Sequence, residues 1–158
     1  MELDRIDLAI LDYVQRDAHA TTAELSEAVG LSPSPCHRRL KLLEEAGIIT
    51  GYVALLDQEK VGLPVNAFVS VELISQSQER MAEFERLVAD CPEVMECYEM
   101  AGSADYLLRV VAPDLHSYEE FLRTRLTRLA AVRGVRSAFA LKRLIYRTNL
   151  PLRGKAAH

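Results

Sequence analysis

The apolar residues of this chain change their spacing once, and that change divides it into two unlike halves. Up to Gly47 they recur every three or four positions; from Val65 onward, runs alternating with period two appear between helical stretches. Side chains 3.6 residues apart share a helix face and those two apart share a sheet face, so one uniform architecture cannot satisfy both patterns. Gly62-Leu63-Pro64 punctuates the change. The sequence therefore predicts a first domain over residues 1–63, a second over 64–150 and a tail over 151–158. Two domains of that size fit within a chain of 158 residues.

The first half reads as three helices. Ile6, Ile10, Leu11 and Val14 form one apolar stripe, with Asp4 able to cap and Asp7 in the first turn. A capping-box spacing from Thr21 to Glu24 opens a second, short helix whose apolar face is Leu25, Ala28 and Val29, and Gly30 stops it. Pro33 and Pro35 lie where a third helix would leave its N–H groups unpaired anyway, so they are compatible with a start capped by Ser32. Cys36, Leu40 and Leu43 then face inward, Ser34, His37, Arg38 and Lys41 outward, and Gly47 ends the helix. The β-branched, apolar stretch from Ile48 to Leu56 suits a short wing or connecting strand. This is the outline of a winged helix-turn-helix.

The second half repeats a unit of strand, helix, strand. Val65, Ala67, Val69, Val71 and Leu73 alternate, and Met81, Phe84, Leu87 and Val88 follow at helical spacing. Strands are predicted over Val94 to Met100, Tyr106 to Val111 and Val135 to Tyr146. A helix stripe of Tyr118, Phe121, Leu122, Leu126 and Leu129 separates the last two. The order βαββαβ is ferredoxin-like, and the fold class is α+β. With both helices on one face of the sheet, the other face is left bare, and an apolar bare face would favour pairing of two copies.

Composition excludes several function classes. The N-terminus lacks a basic, then apolar, leader pattern, and no apolar run approaches a bilayer's thickness, so a cytoplasmic protein without membrane contact is expected. Cys36, Cys91 and Cys97 form neither a C-x-x-C pair nor a group with histidines; reduced, packed thiols are expected, with no metal site. His19, His37, His116 and His158 fall on separate elements, no nucleophile–base arrangement is readable, and phosphate-loop glycines are missing. An enzyme and a bound cofactor are therefore not expected.

Two segments carry candidate chemistry. In the third helix, small polar residues come first and cations next, the layout of an element entering the DNA major groove: Ser34, His37 and Arg38 toward base edges, Arg39 and Lys41 toward phosphates, Ser32 and Pro35 at its start. A solvated cationic face on a small bundle would read the same, and the net charge of −4 does not favour a nucleic-acid partner. The second segment is the turn Gly102-Ser103-Ala104-Asp105-Tyr106. Glycine permits close approach, exposed N–H groups can hold a carboxylate, Asp105 can attract an ammonium, and Tyr106 or Met100 could close over a side chain. A plain β-turn with a locally bonded aspartate is the alternative.

At these residues the chain resembles the Lrp/AsnC family of feast/famine regulators. The likeness runs over residues 2–150. It includes Leu3-Asp-Arg-Ile-Asp7, Val29-Gly-Leu-Ser32, Cys36-His-Arg-Arg-Leu40, Leu43-Glu-Glu-Ala-Gly-Ile-Ile49, Val53-Ala-Leu-Leu-Asp57 and Met100-Ala-Gly-Ser-Ala-Asp-Tyr-Leu-Leu-Arg-Val110. The resemblance implies a DNA-binding first domain. It also implies a second domain that dimerises, receives an amino-acid effector near the glycine–aspartate turn, and assembles further, often to octamers. The expected function is thus a sequence-specific transcription regulator with double-stranded DNA, a small amino acid and itself as partners. The rival is a stand-alone amino-acid-binding module regulating a metabolic enzyme, which would leave Ser34 to Lys41 without a task.

Overall fold

The computed structural model describes residues 2–152; the expected unanchored tail from Arg153 to His158 lies outside the described residues. Two compact units are present. One runs up to Ala54 and takes in the segment from Leu144; the other is Leu55–Arg143.

The first unit contains α1 (Arg5–Val14), α2 (Thr22–Val29) and α3 (Pro33–Glu45). Each start follows from local chemistry. Asp4 accepts from the N–H groups of Ile6 and Asp7 while Asp7 accepts from the Asp4 N–H, and Thr21 and Glu24 repeat this reciprocal cap at α2. Gly30 ends α2 in the left-handed region (φ 69°), where the Leu31 N–H reaches the Ser26 carbonyl at 2.9 Å. Only glycine adopts that turn cheaply, and it lets α3 begin three residues later with Ser32 at the N-cap and Pro33 as first helical residue. Ile10, Leu11, Leu25, Cys36 and Leu43 form the core.

Arg39 ties α3 to α1. Its Nη1 donates to Asp4 Oδ2 and to Asp7 Oδ1, both at 2.7 Å, and Asp7 is only 4% exposed. A carboxylate buried to that degree is stable only with a charged partner, so this pair fixes how the two helices cross.

One expectation for this unit changes. The stretch expected as a wing, from Ile48 to Leu56, has no strand, and its Val53, Leu55 and Leu56 are exposed. A strand needs a ladder partner, and none of the described chain supplies one there. The chain also returns to this unit near its end: Leu150 exchanges hydrogen bonds with the Gln15 side chain (2.6 and 3.3 Å), and Leu152 packs on the α1–α2–α3 core. An amide side chain can pair with both groups of one backbone residue, so α1 holds the returning chain as a neighbouring strand would.

In the second unit an antiparallel sheet in the order β2-β3-β1-β4 is formed by β1 (Val65–Leu73), β2 (Val94–Glu99), β3 (Tyr106–Ala112) and β4 (Val132–Phe139). The helical layer is α4 (Gln78–Ala89) and α5 (Leu115–Phe121), the latter continuing as a π-helical turn over Leu122–Leu126. Ala67, Val69, Val71 and Leu73 of β1 and Tyr106, Leu108, Val110 and Ala112 of β3 pack with Phe84, Val88, Tyr118, Phe121 and Leu126. Period-two burial on the sheet meets 3.6-period burial on the helices, as the sequence predicts.

The last strand is shorter than the expected run to Tyr146. It ends at Phe139, and beyond it Leu141, Leu144 and Ile145 are exposed outside any ladder. The open face of the sheet is mixed, not simply apolar. Phe68 and Tyr98 lie there beside the ion pairs Arg109–Glu96 (3.4 Å) and Arg136–Glu72 (3.2 Å). Of the cysteines, Cys36 and Cys91 are buried as expected, and burial pushes both thiols up; Cys97 is exposed because edge strand β2 is only partly covered.

Arg39→Ala strands the buried Asp7 carboxylate and is expected to lower stability, by less than the break of a fully buried pair because the arginine is itself partly exposed. Arg38→Ala, on the open face of the same helix, is expected to stay within about 0.5 kcal/mol of wild type. Urea unfolding of the two variants checks the difference.

Candidate functional site

The outward face of α3 follows from its inward one. Cys36 and Leu43 are fully buried, so positions three, four and seven residues on from Ser34 are turned to solvent. Ser34, His37, Arg38 and Lys41 are all exposed there, and Pro35 is half-buried. Ser32 is exposed at the N-cap, and its hydroxyl caps nothing. His37 and Arg38 have no hydrogen-bond or ionic partner among the described residues. Lys41 has one exposed, 3.7 Å contact with Glu45, which is weak at that exposure. No acid lies in the first turn. Arg39 departs from the expected phosphate contact: its Nη1 is committed to Asp4 and Asp7, which turns the guanidinium toward α1.

The second site is built by the β2–β3 turn. The Met100 N–H donates to the Asp105 carbonyl (2.8 Å) and the Asp105 N–H to the Val71 carbonyl (2.9 Å). Between them, Ala101, Gly102, Ser103 and Ala104 donate to nothing among the described residues. Gly102 has a φ of 157°, which L side chains rarely adopt.

The Asp105 carboxylate accepts from the Leu73 N–H through Oδ2 and from the Gln76 amide through Oδ1, both at 2.6 Å. The Leu73 bond, then the Gln76 bond, then the positive field of Arg133 hold this carboxyl below its ordinary 3.8. The sequence suggests a carboxylate waiting for an ammonium; in the folded chain it already anchors the turn to the end of β1.

Around the turn is a cavity of about 500 Å³ lined by Gln76, Met81, Glu99, Met100, Ala101, Gly102 and Asp105. Three of the expected residues, Met100, Gly102 and Asp105, meet in it. Ser103 and Ala104 do not line it. Tyr106 does not close over it: the ring is buried against Phe84 (4.6 Å between centroids) and its hydroxyl donates to Glu85 (2.8 Å). Burial and then Glu85 raise its hydroxyl well above the ordinary range. Tyr106 is even-numbered with Leu108 and Val110 in β3, so the same alternation that makes the core directs it to the helices.

Gln76, Met81, Glu99 and Ala101 join the site without having been signalled by the sequence. Met81 belongs by spacing to a core stripe; Gln76 and Glu99 carry no motif of their own. A carboxylate at the end of a strand that runs into a glycine turn is the available signal for Glu99.

Comparison with known proteins agrees with both halves. The family model for a winged helix-turn-helix DNA-binding domain matches residues 3–50, and that for the Lrp/AsnC ligand binding domain matches residues 66–150. The Bkd operon transcriptional regulator of Pseudomonas aeruginosa is 46% identical over 151 residues, covering 96% of this chain and 99% of its own. The DNA-binding transcriptional activator DecR of Escherichia coli K12 is 41% identical, covering 95% and 99%. Among solved structures, a transcriptional regulator of Neisseria meningitidis in complex with L-Met superposes with a TM-score of 0.91 at 39% identity, over 95% of this chain and 97% of that one. An AsnC family regulator of Agrobacterium tumefaciens gives 0.89 at 44%, over 94% and 97%. Among the described residues no helix is long and apolar enough to cross a membrane. The chain belongs to the Lrp/AsnC family: it is a DNA-binding transcription regulator with a winged helix-turn-helix domain and an amino-acid effector-binding domain.

Proposed function

We propose that α3 reads double-stranded DNA in the major groove and that an amino acid bound beside the β2–β3 turn governs this, the protein acting in the cytoplasm as a homo-oligomer and not as an enzyme. The observation that carries the reading is the exposed face of Ser34, His37, Arg38 and Lys41, which starts at the helix N-terminus and lacks competing acids in its first turn. Short polar groups at the start of a recognition helix can reach base edges, and a guanidinium can take both acceptors of a guanine. Ser32 and Pro35 flank that patch; Ser32 and Lys41 can meet phosphates, while Arg39 keeps the helix at its angle.

The effector side of the proposal rests on the cavity at Gly102. A zwitterion leaving water needs donors for its carboxylate and an anion for its ammonium, since an unpaired charge would oppose burial. Unbonded N–H groups of Ala101 and Gly102 supply the donors, and the carboxylates of Glu99 and Asp105 supply the anionic side. No cofactor is needed for such a task. The L-Met complex of the Neisseria meningitidis relative supports an amino acid as the ligand class.

Association is supported by what the single chain leaves uncovered. Val53, Leu55 and Leu56 and, after β4, Leu141, Leu144 and Ile145 are exposed on stretches without ladder bonds. Apolar area of this kind contributes roughly 25 cal/mol per Å² when covered, before association costs are subtracted.

Arg38→Ala and Lys41→Ala are expected to weaken retardation of promoter DNA without loss of folding. Where the removed side chain meets a phosphate, the slope of log affinity against log salt should flatten by about 0.9. Unchanged affinity and slope in both would mean that another face meets DNA. Sedimentation equilibrium of the full chain at micromolar concentration should give a dimer or larger; a monomer would contradict the assembly.

A further inference from the structure

Between α3 and β1 the chain passes from one unit to the other, and one side chain on that passage is tied down. From 50 to 62 every residue is exposed except Gln58, which is half-buried. Its amide nitrogen donates to the Leu63 carbonyl (2.6 Å) and the Val65 carbonyl (3.3 Å), and its amide oxygen accepts from Arg109 Nη2 (3.1 Å). The Val61 N–H on the Asp57 carbonyl and the Leu63 N–H on the Gln58 carbonyl (3.1 and 3.0 Å) close the backbone around it into a turn.

Arg109 is the one charged residue of β3. Its Nε donates to Asn66 Oδ1 on β1 (3.1 Å) and its Nη1 to Glu96 Oε1 on β2 (3.4 Å), and the side chain is 19% exposed. The rigid fork of a guanidinium can hold two strands and the linker at once, which an ammonium cannot. Asn66 also accepts, through its backbone carbonyl, from the Ala140 N–H (2.9 Å), just past the end of β4. From there the chain heads back to the first unit, which it rejoins at Leu144. Asp57 and Gln58 share a cavity of about 450 Å³ with Leu141 and Lys142. The outgoing and returning connections therefore leave the sheet at one corner, and Arg109 bonds to the residue that fixes each of them, Gln58 and Asn66.

We infer that Arg109 is a positioning residue for DNA binding: by latching Gln58 and Asn66 to the sheet it limits the play of both connections to the DNA-binding unit, and so sets the spacing of half-sites that two such units of one assembly occupy together. This rests on the homo-oligomer proposed above.

The latch matters through tether length. With Gln58 released, the run from Ala54 to Val65 is a flexible tether, and the effective concentration of a second binding unit falls roughly as the −3/2 power of that length. With Gln58 held, the free run stops before the turn. Short connections also restrict direction, so they favour half-sites that face the same side of the duplex, a condition that repeats every helical turn of about 10 base pairs. The Glu96 contact is long and exposed and contributes little by itself. The two amide acceptors give Arg109 its geometry, and each of them stands at a connection. An arginine that only stabilised the sheet would change binding to one half-site and to two by the same factor.

Retardation assays with the full chain test this. The duplexes carry the half-site that wild type selects from random sequence, either singly or as pairs whose centre-to-centre distance steps through one helical turn. Wild type should prefer pairs at one phase. Arg109→Ala, and Gln58→Ala, which leaves the sheet face intact, should bind the single half-site within about twofold of wild type, lose about tenfold on the in-phase pair, and respond little to phase. Arg109→Lys, a point charge that cannot span all three acceptors, should fall between. Sedimentation of each variant checks that the assembly is kept; where Arg109→Ala loses it, Gln58→Ala decides. Equal losses on single and paired half-sites, an unchanged phase preference in Gln58→Ala, or no phase preference in wild type overturns the positioning role while leaving the reading of DNA by α3 standing. A wild type that sediments as a monomer overturns the homo-oligomer and the positioning role with it.

Discussion

The bond from the Leu73 N–H to the Asp105 carboxylate is what the effector domain's geometry depends on. At 2.6 Å, with Gln76 on the other oxygen, it links the end of β1 to a turn that belongs to β2 and β3. A carboxylate bridging two loops in this way restrains both, because charge-assisted bonds to N–H groups are stronger than neutral ones. The Asp105 N–H to the Val71 carbonyl closes the same junction from the backbone side. Gly102 can then take its unusual φ without the turn drifting, and Glu99 and Gln76 are brought to one cavity although 23 residues of sequence separate them. The site is a consequence of the junction more than of any single side chain in it.

What the sequence made legible was periodic or capped. The cores on both units follow spacing; Asp4, Thr21 and Gly30 are local signals whose capping bonds reach at most five positions away. The outward set on α3 was legible for the same reason, since burial of Cys36 and Leu43 fixes the opposite face. Long-range pairings were not. Arg39 looks like any other cation of a basic helix until α1 brings Asp7 within 2.7 Å, 32 residues away. Tyr106 belongs both to a glycine turn and to an alternating strand, and the strand decided its direction because a buried ring gains more from the core than from a half-open cavity.

Strand ends failed for a different reason. The stretches after α3 and after β4 have the composition of strands, and by β-propensity alone they would be strands. A strand, however, is a statement about two chains of backbone, not one. Propensity read along a single segment cannot say whether a partner lies in the same molecule, so a run of Val, Leu and Ile without an internal partner is indistinguishable in sequence from one that has it.

The acidic net charge and the DNA-binding role are reconciled by where charges are spent. Arg39 is neutralised by Asp4 and Asp7, and Arg16 by Asp12 on α1, so these pairs contribute little to the field at α3. Arg38 and His37 are left without partners among the described residues, and Lys41 has only a weak one. A patch so small gives few phosphate contacts per chain, and counterion release scales with their number. Useful affinity for DNA then requires several patches held together, whose contacts add at the high effective concentration of a linked assembly. An effector that alters which assembly is populated alters DNA affinity with no bond of its own to DNA, provided its affinity differs between assemblies. In the proposed regulator, the sparseness of the cationic face is therefore the property that makes control by an amino acid bound in the other unit possible.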